Sequence, residues 1–337
     1  MAKKDNSVQT LRGFAIILVV MGHVIGYNSN EGMKVADDSF WRHLYHTLEY
    51  FRMPLFTVIS GWVYTLRPIT KENLNKFLNG KIRRLLVPLV AVGLLYFIVR
   101  MITPGTNRTV EITDIWKFFV FKYDLYWYLP GLFWVFIVIS ILEYKKWMKS
   151  VKSWLLVLVL SIIVLGLRKV YLVETPNYFG IIGMFYLLPF FIIGLGLGRF
   201  QHIMFNKVFI TVMTFLFIGG IVIQQMQWYH VIELPFHGKS SPIGLLVGMT
   251  GSIVLFRIHL VIGWLIYIGN FSYGIYLFHV FGTAGSRIML YKVDITNSTI
   301  VFFISLSAGI IIPILIEMIL VKNKYLKFLF LGKRLSK

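Results

Sequence analysis

The sequence has no cysteine, which excludes disulfides, thiolate metal sites and cysteine nucleophiles. It is also poor in charge. Only 14% of its 337 residues are charged, where a water-soluble domain of this size carries roughly a quarter. Acids are the scarcest, with 14 Asp and Glu against 34 Lys and Arg. No hydrophilic stretch is long enough to fold as a soluble domain, and there is no internal repeat or low-complexity tract. Residues 1–337 therefore read as a single membrane domain. No metal-ligand spacing is present, and no permanently bound cofactor is expected.

What the chain has instead is apolar sequence, 57% of the residues, with a mean hydropathy of +0.74. It comes in long runs bounded by charge. A run near 20 residues crosses a hydrocarbon core of about 30 Å as a helix, and a helix satisfies its own backbone where no water is available. Barrel strands would alternate apolar and polar residues, and these runs do not. The spans are Leu11–Tyr27, Thr47–Leu66, Leu85–Met101, Trp127–Leu142, Ser153–Leu167, Gly180–Gly198, Val208–Gln227, Pro242–Phe256, Ile258–Leu290 and Ser298–Val321. The expected fold is all-α: a polytopic transmembrane bundle of about ten helices. Ile258–Leu290 is too long for one span and should break at Gly269-Asn270, either as a broken helix lining a cavity or as a short interfacial helix before a regular span.

The net charge of +20 does not point to nucleic acid, because its distribution follows the membrane. With the amino end inside, Lys and Arg concentrate on the cytoplasmic segments, above all Arg67–Arg84, Lys145–Lys152 and Lys322–Lys337. These clusters face anionic lipid or an anionic cytoplasmic ligand. A multi-pass plasma-membrane protein with both termini cytoplasmic is expected. The start, Met1-Ala-Lys-Lys before an apolar run, lacks a small-residue cleavage site and reads as a retained first helix.

Ionisable groups inside spans are costly and tend to face the bundle interior. Arg12 and His23 lie eleven positions apart on the first helix, which is about three turns plus 20°, so they share a face, with a rise of roughly 16 Å between them. Ser272, Tyr276 and His279 fall at i, i+4 and i+7 on one face of a later helix. If that helix starts at the cytoplasmic edge, His279 reaches a depth close to that of His23. Either the two histidines meet in one cavity, or each bridges helices by a hydrogen bond. Glu49 and Arg52, three apart, read as an ion pair. On the same helix Pro54 suggests a kink and Gly61 a close helix approach. Lys81-Ile82-Arg83-Arg84 fixes topology, and Lys81 and Arg84 are also spaced to grip phosphates jointly.

Five segments, in order, resemble the acyltransferase-3 membrane family: Leu11-Arg12-Gly13-Phe14 leading to Gly22-His23; Phe51-Arg52-Met53-Pro54-Leu55-Phe56 with Ser60-Gly61; Lys81-Ile82-Arg83-Arg84-Leu85-Leu86-Val87-Pro88; Trp127-Tyr128-Leu129; and Ser272-Tyr273-Gly274-Ile275-Tyr276-Leu277-Phe278-His279. Each is weak alone, but the ordered set spans nearly the whole chain. The resemblance implies transfer of an acyl group, usually acetyl, from cytoplasmic acyl-CoA to a hydroxyl of a cell-surface polysaccharide or its lipid-linked precursor. His23 is then the catalytic histidine, Arg12 supports it or contacts the donor, and Lys81, Arg83 and Arg84 lie near the CoA phosphates. Glu49, Arg52, Ser272, Tyr276 and His279 are candidates for the substrate cavity. Implied partners are acyl-CoA, the glycan acceptor, membrane lipids and proteins of polysaccharide synthesis. The chain departs from longer members, which carry acids after the Trp-x-Leu segment and a further extracytoplasmic domain. Gly131 and Leu132 stand at the former place, so an acid partner for His23 must come from elsewhere, with Glu49 a candidate.

Transfer to a hydroxyl needs a base and a way to stabilise the oxyanion. Neutral His23 suits the first role. Two other classes fit parts of the pattern. A transporter or flippase also carries intramembrane Arg and His. A different membrane O-acyltransferase fold would place catalysis on His279.

Overall fold

The computed structural model describes residues 5–107, 110–121, 124–172 and 175–335. Among them there is helix and no strand. Every expected span falls on a helix. They are α1 (Asn6–Ile25), α2 (Phe40–Thr65), α3 (Leu74–Ile102), α4 (Tyr128–Tyr144), α5 (Val151–Tyr171), α6 (Ile181–Arg199), α7 (Lys207–Trp228), α8 (Pro242–Ile258), the pair α9 (Gly263–Asn270) and α10 (Ser272–Lys292), and α11 (Ser298–Leu320). A short α12 (Lys324–Leu331) follows. Among the described residues six helices are long and apolar enough to cross a membrane: α1, α3, α5, Tyr178–Arg199, α7 and α11. Helices α4 and α8 are apolar but shorter.

Helix ends follow local chemistry more than hydropathy. Asp5 caps α1 by accepting from the Ser7 amide at 2.9 Å. Ser39 caps α2 through the Arg42 amide, so α2 starts two turns before the apolar run. Likewise α3 begins at Leu74, and the basic segment is helical, with a π-turn at Ile82–Leu86 where it meets the apolar run. The expected break is present. Helix α9 ends at Asn270, Phe271 forms the turn, and α10 starts at Ser272.

Glycines let the central helices touch. A Cβ on Gly61 would lie 2.1 Å from the Phe191 carbonyl oxygen, and one on Gly194 2.0 Å from that of Val58, so α2 and α6 pack backbone to backbone. Pro54 lies within the run of α2, in contact with α8 at Gly248. Helix α1 packs in the same way on α9, with Gly13 against Leu265 and Gly269 against Gln9. The buried Thr10 hydroxyl of α1 accepts from the Ile262 amide at 3.2 Å, fixing the entry to α9. By contrast α7 buries only Gly220 and Gln224 and turns Val208, Phe215, Ile218 and Val222 outward. Apolar side chains on that outer face suit lipid. The bundle thus has α1 and α6 at its centre and α5 and α7 at its periphery.

Candidate active site

Helices α1 and α10 bring two histidines together. The ring centroids of His23 and His279 lie 4.7 Å apart, tilted by 47°. His279 is 1% exposed. Its Nδ1 lies 2.9 Å from the Tyr276 carbonyl oxygen and 3.1 Å from that of Ile275. A carbonyl only accepts, so Nδ1 carries the proton and Nε2 of the neutral ring carries the lone pair. That Nε2 is buried and has no hydrogen-bond partner among the described residues.

Helix α2 adds a guanidinium. The Arg52 Nη2 donates to the Tyr45 hydroxyl at 2.5 Å, and its Cζ stands 4.3 Å from the centre of the Tyr45 ring. A Cβ at Gly22 would lie 1.5 Å from Arg52 Nη1, so a side chain there would push the guanidinium out of this place. The expected Glu49–Arg52 ion pair is not formed. Glu49 approaches His46 instead, at 3.9 Å. Arg52 reaches back two turns to Tyr45, and Glu49 reaches back one turn to His46. The guanidinium has no carboxylate within ion-pair distance among the described residues.

Two cavities meet at this centre, at the end of the bundle that carries the 26–39 and 229–241 loops. The first, about 400 Å³, runs between α1, α3 and α10 and is lined by Gly22, His23, Arg52, Tyr96, Phe281 and Arg287 among others. The second, about 430 Å³, is lined by His23, Glu49, Arg52, Trp127, Lys169 and Lys239 among others. His23, Tyr27, Tyr45 and Arg52 line both. His23 is half-buried, and His279 stands behind it, outside both linings.

The other expected residues lie apart from this centre. Arg12 is three turns from His23 along α1 and contacts Gln9 at 3.4 Å, so the guanidinium beside the histidine is Arg52. Lys81 is not free in solvent. Its ammonium stands 3.5 Å from the centre of the Phe136 ring and 4.8 Å from that of Phe77, a cation–π seat. Arg83 is half-buried and Arg84 exposed. The Arg84 carbonyl accepts from the Tyr273 hydroxyl, and Gly332 packs on the backbone of Arg83 and Arg84. Between Arg12 and the histidines lies an aromatic layer. Tyr276 stands 5.7 Å from Tyr128 and 6.5 Å from Tyr126, ring to ring. Tyr126 donates to the Leu277 carbonyl at 3.0 Å, and Tyr128 meets the Ser60 hydroxyl at 3.4 Å. Ser272 is buried at the start of α10. Gly131 lets α4 approach Gly183 of α6, with a Cβ contact of 3.2 Å. Among the described residues no three His, Asp or Glu side chains are placed to hold a metal ion.

Sequence reasoning overlooked Tyr45 and Arg287. Tyr45 and Arg52 are seven apart, hence on one helical face, and an aromatic beside an intramembrane arginine was a readable signal. Arg287 lies inside an expected span, as Arg52 does. It is 7% exposed and donates to the Gly32 carbonyl at 2.7 Å. Arg42 donates to the Gly26 and Val35 carbonyls and pairs with Asp37 at 3.2 Å, and Tyr291 donates to Met33 at 2.8 Å. Together they hold the 26–39 loop over the first cavity.

The site is thus a histidine pair and an arginine at the meeting of two cavities in a helical membrane bundle. The family model described as an acyltransferase domain matches residues 5–318. The chain belongs to the acyltransferase-3 family of membrane acyltransferases. No curated protein and no solved structure matches it.

Proposed function

We propose that the chain is an O-acyltransferase of the plasma membrane, with both termini cytoplasmic. It moves an acyl group, most simply acetyl, from cytoplasmic acyl-CoA to a hydroxyl of a cell-surface polysaccharide or its lipid-linked precursor. The observation that carries this reading is the place of His23. It is the one titratable imidazole that faces both cavities, it has Arg52 beside it, and no residue holds it by a hydrogen bond among those described. A base must have a free nitrogen to accept a proton, whereas a histidine that merely bridges helices spends both nitrogens on neighbours.

In the proposed step His23 takes the proton of the acceptor hydroxyl as its oxygen attacks the thioester carbonyl. The tetrahedral oxyanion faces the Arg52 guanidinium, which is fixed before substrate arrives by Tyr45 and Gly22. Collapse breaks the carbon–sulfur bond, and the imidazolium returns its proton to the departing CoA thiolate. The thioester supplies a good leaving group, so the residues need only orient, deprotonate and stabilise. The basic segment Lys81–Arg84 and Arg12 are assigned to the donor, Arg84 as an exposed phosphate contact. Within that segment Lys81 is seated on Phe136 and Phe77. The acceptor is assigned to the cavities.

Mass analysis of surface glycans from cells with and without the protein tests this reading. The expected result is loss of one acyl mass from one glycan. An unchanged glycan profile overturns it.

A further inference from the structure

His279 is a buried titratable group that the proposed step leaves without a task. It is 1% exposed, and its Nδ1–H is spent on the carbonyls of Ile275 and Tyr276. Its Nε2 is an acceptor with no donor among the described residues. Such an acceptor inside a bundle is costly, and native structures keep few of them. The hydroxyls near it on its own helix are committed elsewhere. Tyr276 donates to the Leu125 carbonyl at 3.5 Å and Thr283 to that of Val280 at 3.4 Å. The ring of His23 stands 4.7 Å away, centre to centre, tilted by 47°. At that spacing a turn about the side-chain bonds of His23 brings one of its ring nitrogens to His279 Nε2.

Packing decides which of the two rings is the fixed one. A Cβ on Gly282 would lie 2.3 Å from the Ala308 carbonyl oxygen, so α10 is set backbone to backbone on α11. A Cβ on Gly309 of α11 would lie 2.4 Å from Thr283 Cγ2 of α10 and 2.7 Å from Val20 Cγ1 of α1. His279 therefore belongs to a close-packed face, held by carbonyls of its own helix. His23 is half-buried and borders both cavities. A fixed acceptor behind a cavity-facing imidazole holds a base in one tautomer, and a carboxylate commonly plays that part. Among the described residues no carboxylate pairs with His23, and Glu49 is turned to His46 at 3.9 Å. The Nε2 of His279 stands in that place.

We infer that His279 is a positioning residue for His23: its Nε2 accepts one ring N–H of His23, which leaves the lone pair of the other His23 nitrogen facing the cavities. During transfer the hydroxyl proton goes to that free nitrogen and stays on His23 until the departing thiolate takes it, while His279 keeps its own proton at Nδ1. The catalytic consequence rests on the acyltransferase reading; the pairing of the rings does not. The first measurement needs no substrate. Full-length protein in detergent, isotope-labelled at the histidine nitrogens, is observed by NMR at a pH of about 8, above the ordinary imidazole range. His23→Gln identifies the His23 signals by their loss. Native His23 should show one protonated and one bare nitrogen, and His279→Leu should show the two forms averaged. The second measurement is release of coenzyme A from acetyl-CoA by membranes that carry the cell's own glycan. His279→Leu should lower kcat about tenfold to a hundredfold, the worth of one hydrogen bond to a charged group, with the KM for acetyl-CoA unchanged. His279→Gln, which brings a carbonyl oxygen to the place of Nε2, should recover most of that rate. A merely structural role predicts the reverse order, since leucine suits a buried apolar site better than glutamine does. Averaged tautomers in the native protein, a single tautomer that persists in His279→Leu, or a glutamine variant no faster than the leucine one overturns the inference. A single tautomer lost in His279→Leu, in a native protein that releases no coenzyme A, refutes the acyltransferase reading alone.

Discussion

The guanidinium of Arg52 occupies the space that any side chain at Gly22 would need, with Nη1 only 1.5 Å from the position of a Cβ there. This contact, one of several between α1 and α2, sets the arginine next to His23. A methyl group at position 22 therefore acts on the chemistry through Arg52. Gly22→Ala should lower acyl transfer by about 10²-fold, the size of effect seen when one oxyanion donor is removed. Arg52→Ala should give a similar loss, and the double variant should be little worse than either. Initial rates on detergent-solubilised protein check this. Additive losses would mean that the two residues act independently.

The 26–39 loop is pinned by buried donors. Arg287→Met keeps the apolar stem but leaves the Gly32 carbonyl without the donor it has at 2.7 Å. A buried acceptor left unpaired costs about 1–3 kcal/mol, so the thermal midpoint in detergent should fall by a few degrees. Gly26 and Gly32 have φ of 85° and 55°, where a Cβ is strained and would collide with the Glu31 backbone or the Ile25 carbonyl. Gly26→Ala should therefore lower the midpoint as well. Calorimetry or a thermal-shift measurement decides both.

The donor assignment is tested at Arg84. Its side chain is exposed and its carbonyl is already engaged by Tyr273, so Arg84→Ala removes charge without opening a cavity. Coenzyme A affinity should drop about tenfold at low salt, and added salt should weaken the native protein toward the variant. Titration of coenzyme A at two ionic strengths measures this. Unchanged affinity would leave the basic segment with a topological role alone.

Orientation follows from the basic clusters. Reporters fused to either terminus should be active only as cytoplasmic reporters. An external signal from either end would invert the sides assigned to donor and acceptor.

The helices were legible in the sequence because apolar runs bounded by charge are a direct record of the membrane. The break before Ser272 was legible from Gly269-Asn270. Where hydropathy and helix diverge, at Phe40–His46 and Leu74–Arg84, the sequence reading stopped at the edge of the apolar run while the backbone kept turning. Helix continues there because Ser39 caps one segment and nothing interrupts the other. The shared depth of His23 and His279 followed from helical rise, and the structure sets their rings 4.7 Å apart. The partner of Arg52 did not follow. Spacing alone offered Glu49, and the seat of the guanidinium between Tyr45 and Gly22 of the neighbouring helix emerged only with tertiary structure. Residues 26–39 carried no periodic signal, so the roles of Arg42 and Arg287 as loop pins emerged only with tertiary structure.

The central claim is that His23 is the base. Its most direct test is acyl transfer by His23→Gln, in a variant first shown to be inserted and to bind coenzyme A as the native protein does. Glutamine keeps a hydrogen bond but cannot accept the proton. The account predicts transfer reduced to background, with His279→Ala, which removes a buried neighbour of His23, giving a smaller loss. Substantial transfer by His23→Gln together with abolition by His279→Ala would contradict it and move the catalytic role to His279.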